Sequence, residues 1–260
     1  MKIKEAYRYQ CKDFYKNIIV YLGLVLLLFI EALYEIYHYK IFPPTNTEGN
    51  IAEFMSLEFS NIELIAGAVL CFVGYRSVKN NFRFLLQNGV ARTNQILSQI
   101  LSSLKLVFIL SSISEVLLIL AKLWASHITT PTRQVEWFSI FEIVYENIPT
   151  NFISFHLYNF LFNFCFFLTL VAISYMVAVI YYNIHRIFRY IISISVLSYF
   201  FIFPNISITQ SLLRPLEDLN NFVIITYQCS PCGFMLTLLF IATICYMISY
   251  LLLRRTSLKD

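Results

Sequence analysis

Six mainly apolar stretches punctuate this chain, and they limit what it can fold into more than any other feature. They fall at residues 18–37, 60–74, 104–124, 155–182, 187–203 and 233–253. A helix needs roughly 20 mainly apolar residues to cross a bilayer core, so each stretch reads as a membrane span. The second is short and is expected to extend outward. The fourth is long enough to tilt or to begin outside the bilayer. Strands of a membrane barrel would alternate apolar and polar at every second residue, and these runs do not. Composition agrees: of 260 residues, 58% are apolar and only 13% charged, whereas a soluble domain carries about 25% charged residues. Too little polar surface remains to coat a water-soluble enzyme or a nucleic-acid binder, and too much is apolar for a disordered chain. The expected fold class is all-α: a polytopic membrane protein with six transmembrane helices in one domain, residues 1–260.

Lysine and arginine set the orientation. Fourteen of them fall in the amino-terminal segment (Lys2, Lys4, Arg8, Lys12, Lys16), the loop after span two (Arg76, Lys79, Arg83, Arg92), the turn after span four (Arg186, Arg189) and the tail (Arg254, Arg255, Lys259). The opposite loops hold three, Lys40, Arg133 and Arg214. Both termini are therefore expected in the cytoplasm, with the chain multi-pass in the plasma membrane. All seven prolines fall in the segments read as external, and proline breaks helix interiors. The first apolar run contains Glu31 and Glu35 and ends without a small-x-small cleavage site, so it is expected to stay as a span.

Three segments are not spans. Residues 1–17 read as an amphipathic interfacial helix, with Ile3, Tyr7, Cys11, Phe14 and Ile18 on one face and Arg8, Lys12 and Lys16 opposite, suited to an anionic leaflet. A charged start that only sets orientation is the plainer reading. The inner loop 76–100 is patterned: Val78, Phe82, Leu85 and Leu86 recur at helical spacing beside Lys79 and Arg83. Asn88-Gly89 then stops the helix, because both tolerate a left-handed backbone. Thr93 offers a cap for a second helix that runs into span three. An ordinary interfacial connector would look similar. Residues 204–231 mix polar pieces with an apolar run too short to cross, and read as short re-entrant helices capping the bundle from outside.

This arrangement resembles the membrane subunit, or permease, of a bacterial ABC-2-type ABC transporter. The likeness covers essentially the whole chain, and FRFLLQNGVART is its most family-like string. It implies that the inner loop is a coupling helix docking on an ATPase, through Val78, Lys79, Phe82, Arg83, Leu85, Leu86, Asn88 and Gly89. It further implies two ABC ATPase subunits, a second permease subunit, identical or homologous, and export of a hydrophobic or amphipathic substrate such as an antimicrobial peptide. None of the six glycines precedes a lysine, so no P-loop is present. The chain is expected to bind no cofactor itself and not to be an enzyme. ATP and magnesium belong on the partner ATPase. The reading from a different class is a six-span accessory or sensor protein that binds a membrane partner without transport.

Ionisable residues within spans are costly and often functional. Glu31, Glu63 and Glu115 fall at middle or outer levels of the first three spans. His156, Asn159 and Asn163 form a polar stripe on one face of span four. Together they are the candidate substrate path, suited to a cationic or amphipathic molecule. Pairing with Lys122, or hydrogen bonding between helices, is the alternative. Cys229 and Cys232 form a lone CxxC outside the membrane, either a disulfide or two free thiols. No metal-ligand set stands out. Phe152 and His156 match the FxxxH of glutamate/histidine membrane proteases, but no paired glutamates accompany them. No nucleic-acid partner is expected. Membrane lipids are.

Overall fold

The structure, a computed structural model, describes residues 3–41, 50–78, 83–128, 139–145, 151–184 and 231–255. Among them every regular element is a helix: α1 (Ile3–Ile41), α2 (Asn50–Arg76), α3 (Arg83–Gln87), α4 (Arg92–Ile128), α5 (Ile140–Val144), α6 (Phe152–Asn183) and α7 (Pro231–Arg255). Pro231 stands at the first described position of α7, where a missing N–H costs nothing and the fixed φ suits a helix start.

Among the described residues three helical segments, Arg92–Leu120, Phe152–Asn183 and Pro231–Arg254, are long and apolar enough to cross a membrane. They mark the protein as membrane-embedded. Large apolar side chains stand exposed on their outer faces, among them Phe108, Val116, Leu157, Phe240 and Met247. Such surface is stable against lipid and a liability in water. The expected spans one and two fall within α1 and α2. The expected span five at 187–203 and most of the external cap at 204–231 lie outside the described residues.

The helix α6 is the hub. It packs on α7, α2 and α4, and the short α5 lies against it. Its buried residues include Phe162, Phe167, Val171, Ala172, Tyr175 and Val179. Hydroxyls within these apolar helices turn back onto their own backbone: Thr169 donates to Cys165 O, Ser249 to Cys245 O and Thr243 to Leu239 O. That is how an apolar helix carries Ser and Thr without leaving donors bare.

Close approach of α2 to α6 depends on glycine. A Cβ at Gly74 would overlap Ser174 Oγ and stand 3.0 Å from the Val171 carbonyl oxygen. Gly23 on α1, by contrast, faces open space. Small residues at such seams let helix backbones approach where no hydrophobic force draws them together.

The amino-terminal segment and the first apolar run form one continuous helix, with nothing near residue 18 breaking α1. Its buried face comprises Ala6, Gln10, Cys11, Phe14, Asn17, Tyr21 and Val25, turned by roughly 40° from the most apolar face at 100° per residue. The rotation brings Gln10 to Ser102 and Tyr21 to Ser114 on α4. Hydrogen bonding to α4 outweighs the stripe of greatest hydrophobicity.

Gly74→Ala is expected to destabilise the protein by about 1–3 kcal/mol through overpacking, while Gly23→Ala is neutral or slightly stabilising. Unfolding midpoints of the two purified variants in the same detergent check this, and equal midpoints would refute the seam.

Candidate functional site: a buried carboxylate layer

Three helices bring five of the six candidate path residues together. Glu63 comes from α2, Glu115 from α4, and His156, Asn159 and Asn163 from the first three turns of α6. The i, i+3, i+7 spacing on α6 lines its three polar side chains along one face, and that face meets both glutamates. Glu115 is bound by His156 Nδ1 at 2.5 Å and by Asn159 Nδ2 at 2.6 Å, one donor to each carboxylate oxygen. Glu63 accepts from Asn163 Nδ2 at 2.7 Å and from the backbone N–H of Ile140 at 2.8 Å. Only 5% of Glu63 and 9% of Glu115 is exposed, and both asparagines are fully buried. Glu31 lies on α1, but its side chain is outside the described residues.

The chemistry fixes the donors. An amide nitrogen only donates, so Asn159 and Asn163 are donors to the glutamates, while the Glu115–His156 contact shares one proton between a carboxyl oxygen and Nδ1. Turning either asparagine over would set two acceptors face to face, so each amide NH2 points at its glutamate. That orientation leaves Asn159 Oδ1 and Asn163 Oδ1 buried without a hydrogen-bond partner. Each is an open acceptor beside a carboxylate.

A second pair closes the outer edge. Lys122 Nζ lies 2.8 Å from Glu142 Oε1 and 4.2 Å above the Phe155 ring. Glu142 also takes the Ser139 N–H while Ser139 Oγ takes the Glu142 N–H, a reciprocal capping box that starts α5. Phe141 then packs into an aromatic cluster with Tyr145, Phe155, Tyr158 and Phe162. Burial there pushes the Tyr145 phenol above its ordinary range. Thus α5 is tied down by Glu63 at its first N–H, by Lys122 at Glu142 and by Phe141.

The sequence pointed to the stripe and the glutamates and offered Lys122 as an alternative partner for those carboxylates; its partner here is Glu142. It also missed Ile140, whose contribution is a backbone group with no side-chain signature. The signal for α5 was present as Ser139-x-x-Glu142.

At the other end of α4 sits the elbow. The chain leaves α3 through a complete Schellman turn: Gly89 N–H bonds Leu86 O, Val90 N–H bonds Leu85 O, and Gly89 takes φ +73°. Leu85 and Val90 clip together against Ala6 on α1. Asn88 Nδ2 adds a bond to Phe84 O. The following helix starts at Arg92, so Thr93 lies in its first turn instead of capping it, and the Ala91 carbonyl accepts the first helical bond. Of the candidate docking residues, Val78 and Leu85 are buried within the chain, Leu86 is half-buried, and Asn88 and Gly89 are exposed. Lys79, Phe82 and the Arg83 side chain lie outside the described residues. Phe84, which the sequence reading passed over, is exposed and stacked on Tyr9. Cys232 is an exposed free thiol in the first turn of α7, and Cys229 lies outside the described residues. Among the described residues no group of three or more His, Cys, Asp or Glu forms a metal-binding set.

No family model, curated protein or solved structure matches the chain.

A double-mutant cycle of Glu63→Ala with Asn163→Ala is expected to give a coupling of about 0.6 kcal/mol or more, as for hydrogen bonds between membrane helices. Reversible unfolding in lipid bicelles reads the coupling. A value near zero would remove the bond.

Proposed function

We propose that this chain is the six-span membrane subunit of an exporter driven by an ATPase on a separate polypeptide. The observation that carries the reading is the elbow. A short helix is locked by the Schellman turn and the Leu85–Val90 clip, then passes without a flexible joint into α4. It leaves Phe84, Gln87, Asn88 and Gly89 on the surface. Force applied to that surface moves α4 as a rod, and α4 carries Glu115 into the buried carboxylate layer. Arg92 adds a second path, donating to the Leu253 and Arg254 carbonyls at the end of α7.

The carboxylate layer supports a cationic or amphipathic substrate. Two buried glutamates and two open asparagine carbonyls can receive the N–H groups of an ammonium or guanidinium. In this reading rotation of α4 against α6 loosens the Glu115–His156–Asn159 contacts and exposes the acceptors.

One observation favours the accessory or sensor reading. Val78 and Leu85 serve the chain's own packing, so the elbow offers a smaller apolar surface to a partner than the spacing suggested. A lone ATPase encoded in an adjacent reading frame discriminates between the two.

Phe84→Ala and Phe82→Ala, co-expressed with that ATPase, are expected to lower its co-purification about fivefold or more and to abolish stimulation of its turnover, each truncation removing an aromatic contact at an interface. Unchanged recovery and unchanged stimulation with both variants would overturn docking at the elbow.

A further inference from the structure

A shallow, half-open groove lies between α1 and α4, away from the carboxylate layer. Phe14, Ile18, Leu106 and Ile109 form its walls, and Tyr15 and Lys105 stand at its mouth. Lys105 is exposed, donates to Tyr15 Oη at 3.2 Å and lies 5.5 Å from the centre of that ring. With its oxygen occupied as acceptor, the Tyr15 O–H points its own donor elsewhere. The ammonium keeps two N–H groups free.

The charge around the mouth has one sign. At 100° per residue, Arg8 and Lys12 of α1 fall within about 60° of Tyr15, with Lys4 on the same side about 16 Å further along the helix, and all three are exposed. The acidic positions of this part of α1, Glu5 and Asp13, fall beyond Lys12 by the same register. Beside the groove the surface turns apolar, with Ile19, Leu22, Leu26 and Leu101 exposed. Basic donors at one end and a greasy slot continuous with a lipid-facing surface at the other fit one chemical class. A phosphate diester accepts from Lys105 and Tyr15, and its acyl chain covers Phe14, Ile18 and Ile109.

We infer that the α1–α4 groove, with Lys105 and Tyr15 at its mouth, is a binding site for an anionic phospholipid of the cytoplasmic leaflet. The site rests on the inner-face placement of these helix ends that the basic residues argue, and it does not depend on the ATPase. An occupied groove would brace α1 against α4 directly above the elbow.

Native mass spectrometry of the delipidated chain, titrated with dioleoyl phosphatidylglycerol or dioleoyl phosphatidylcholine, tests it. The expected result is preferential retention of phosphatidylglycerol, reduced about fivefold by Lys105→Gln, as for the loss of one basic contact at a membrane surface. Ile109→Trp, which fills the slot and keeps every charge, is expected to lower retention as well. Glycerol 3-phosphate, a headgroup without acyl chains, is expected not to compete. Equal retention of the two lipids, no effect of Lys105→Gln, or displacement by glycerol 3-phosphate would each overturn the site. So would oxidative cross-linking of Lys105→Cys to a second copy of the chain, which would give the groove a protein occupant.

Discussion

Two carboxyl side chains placed where water is scarce organise this molecule. A bare carboxylate in a low-dielectric interior costs several kcal/mol, so Glu63 and Glu115 each need donors, and α6 supplies most of them. His156, Asn159 and Asn163 meet glutamates from two different helices. The packing of α2 and α4 around α6 is thereby specified in register as well as in area. Apolar contact alone would leave those helices free to slide, because lipid tails are as apolar as leucine. The glycine seam at Gly74 adds shape where the glutamates add polarity.

The same layer reaches outward. Glu63 spends one oxygen on the first N–H of α5, and Lys122 holds the carboxylate that caps that helix. A five-residue helix has little stability of its own, so α5 exists where it does because the bundle holds it. Any rearrangement that separates Glu63 from Ile140 or Lys122 from Glu142 also frees the cover over the aromatic cluster. A buried layer and an outer cap that share residues respond together.

At the opposite end, stiffness comes from backbone geometry. Gly89 at positive φ closes both Schellman bonds without strain, and the Leu85–Val90 clip keeps α3 on α1. The elbow, the α1–α4 groove above it and the carboxylate layer are three sites strung along one long helix. Their alignment on α4 joins the surface at the elbow to the buried polar layer through one continuous helix.

Membrane character, the helical class, the Asn88-Gly89 stop and the polar face of α6 were all legible in the residues. Each depends on local composition or on a period within one segment, which a linear reading carries. The continuity of α1 was not, because an amphipathic start and an apolar run look separate until nothing is found to break them. Nor was the turn of its buried face toward Gln10 and Asn17, which α4 determines. The partners of the two glutamates belong to the folded bundle: Asn163 lies one hundred positions from Glu63, and Ile140 contributes only a main-chain N–H. Which carboxylate meets which donor is decided by how helices pack, since burial leaves each charge no alternative partner in solvent.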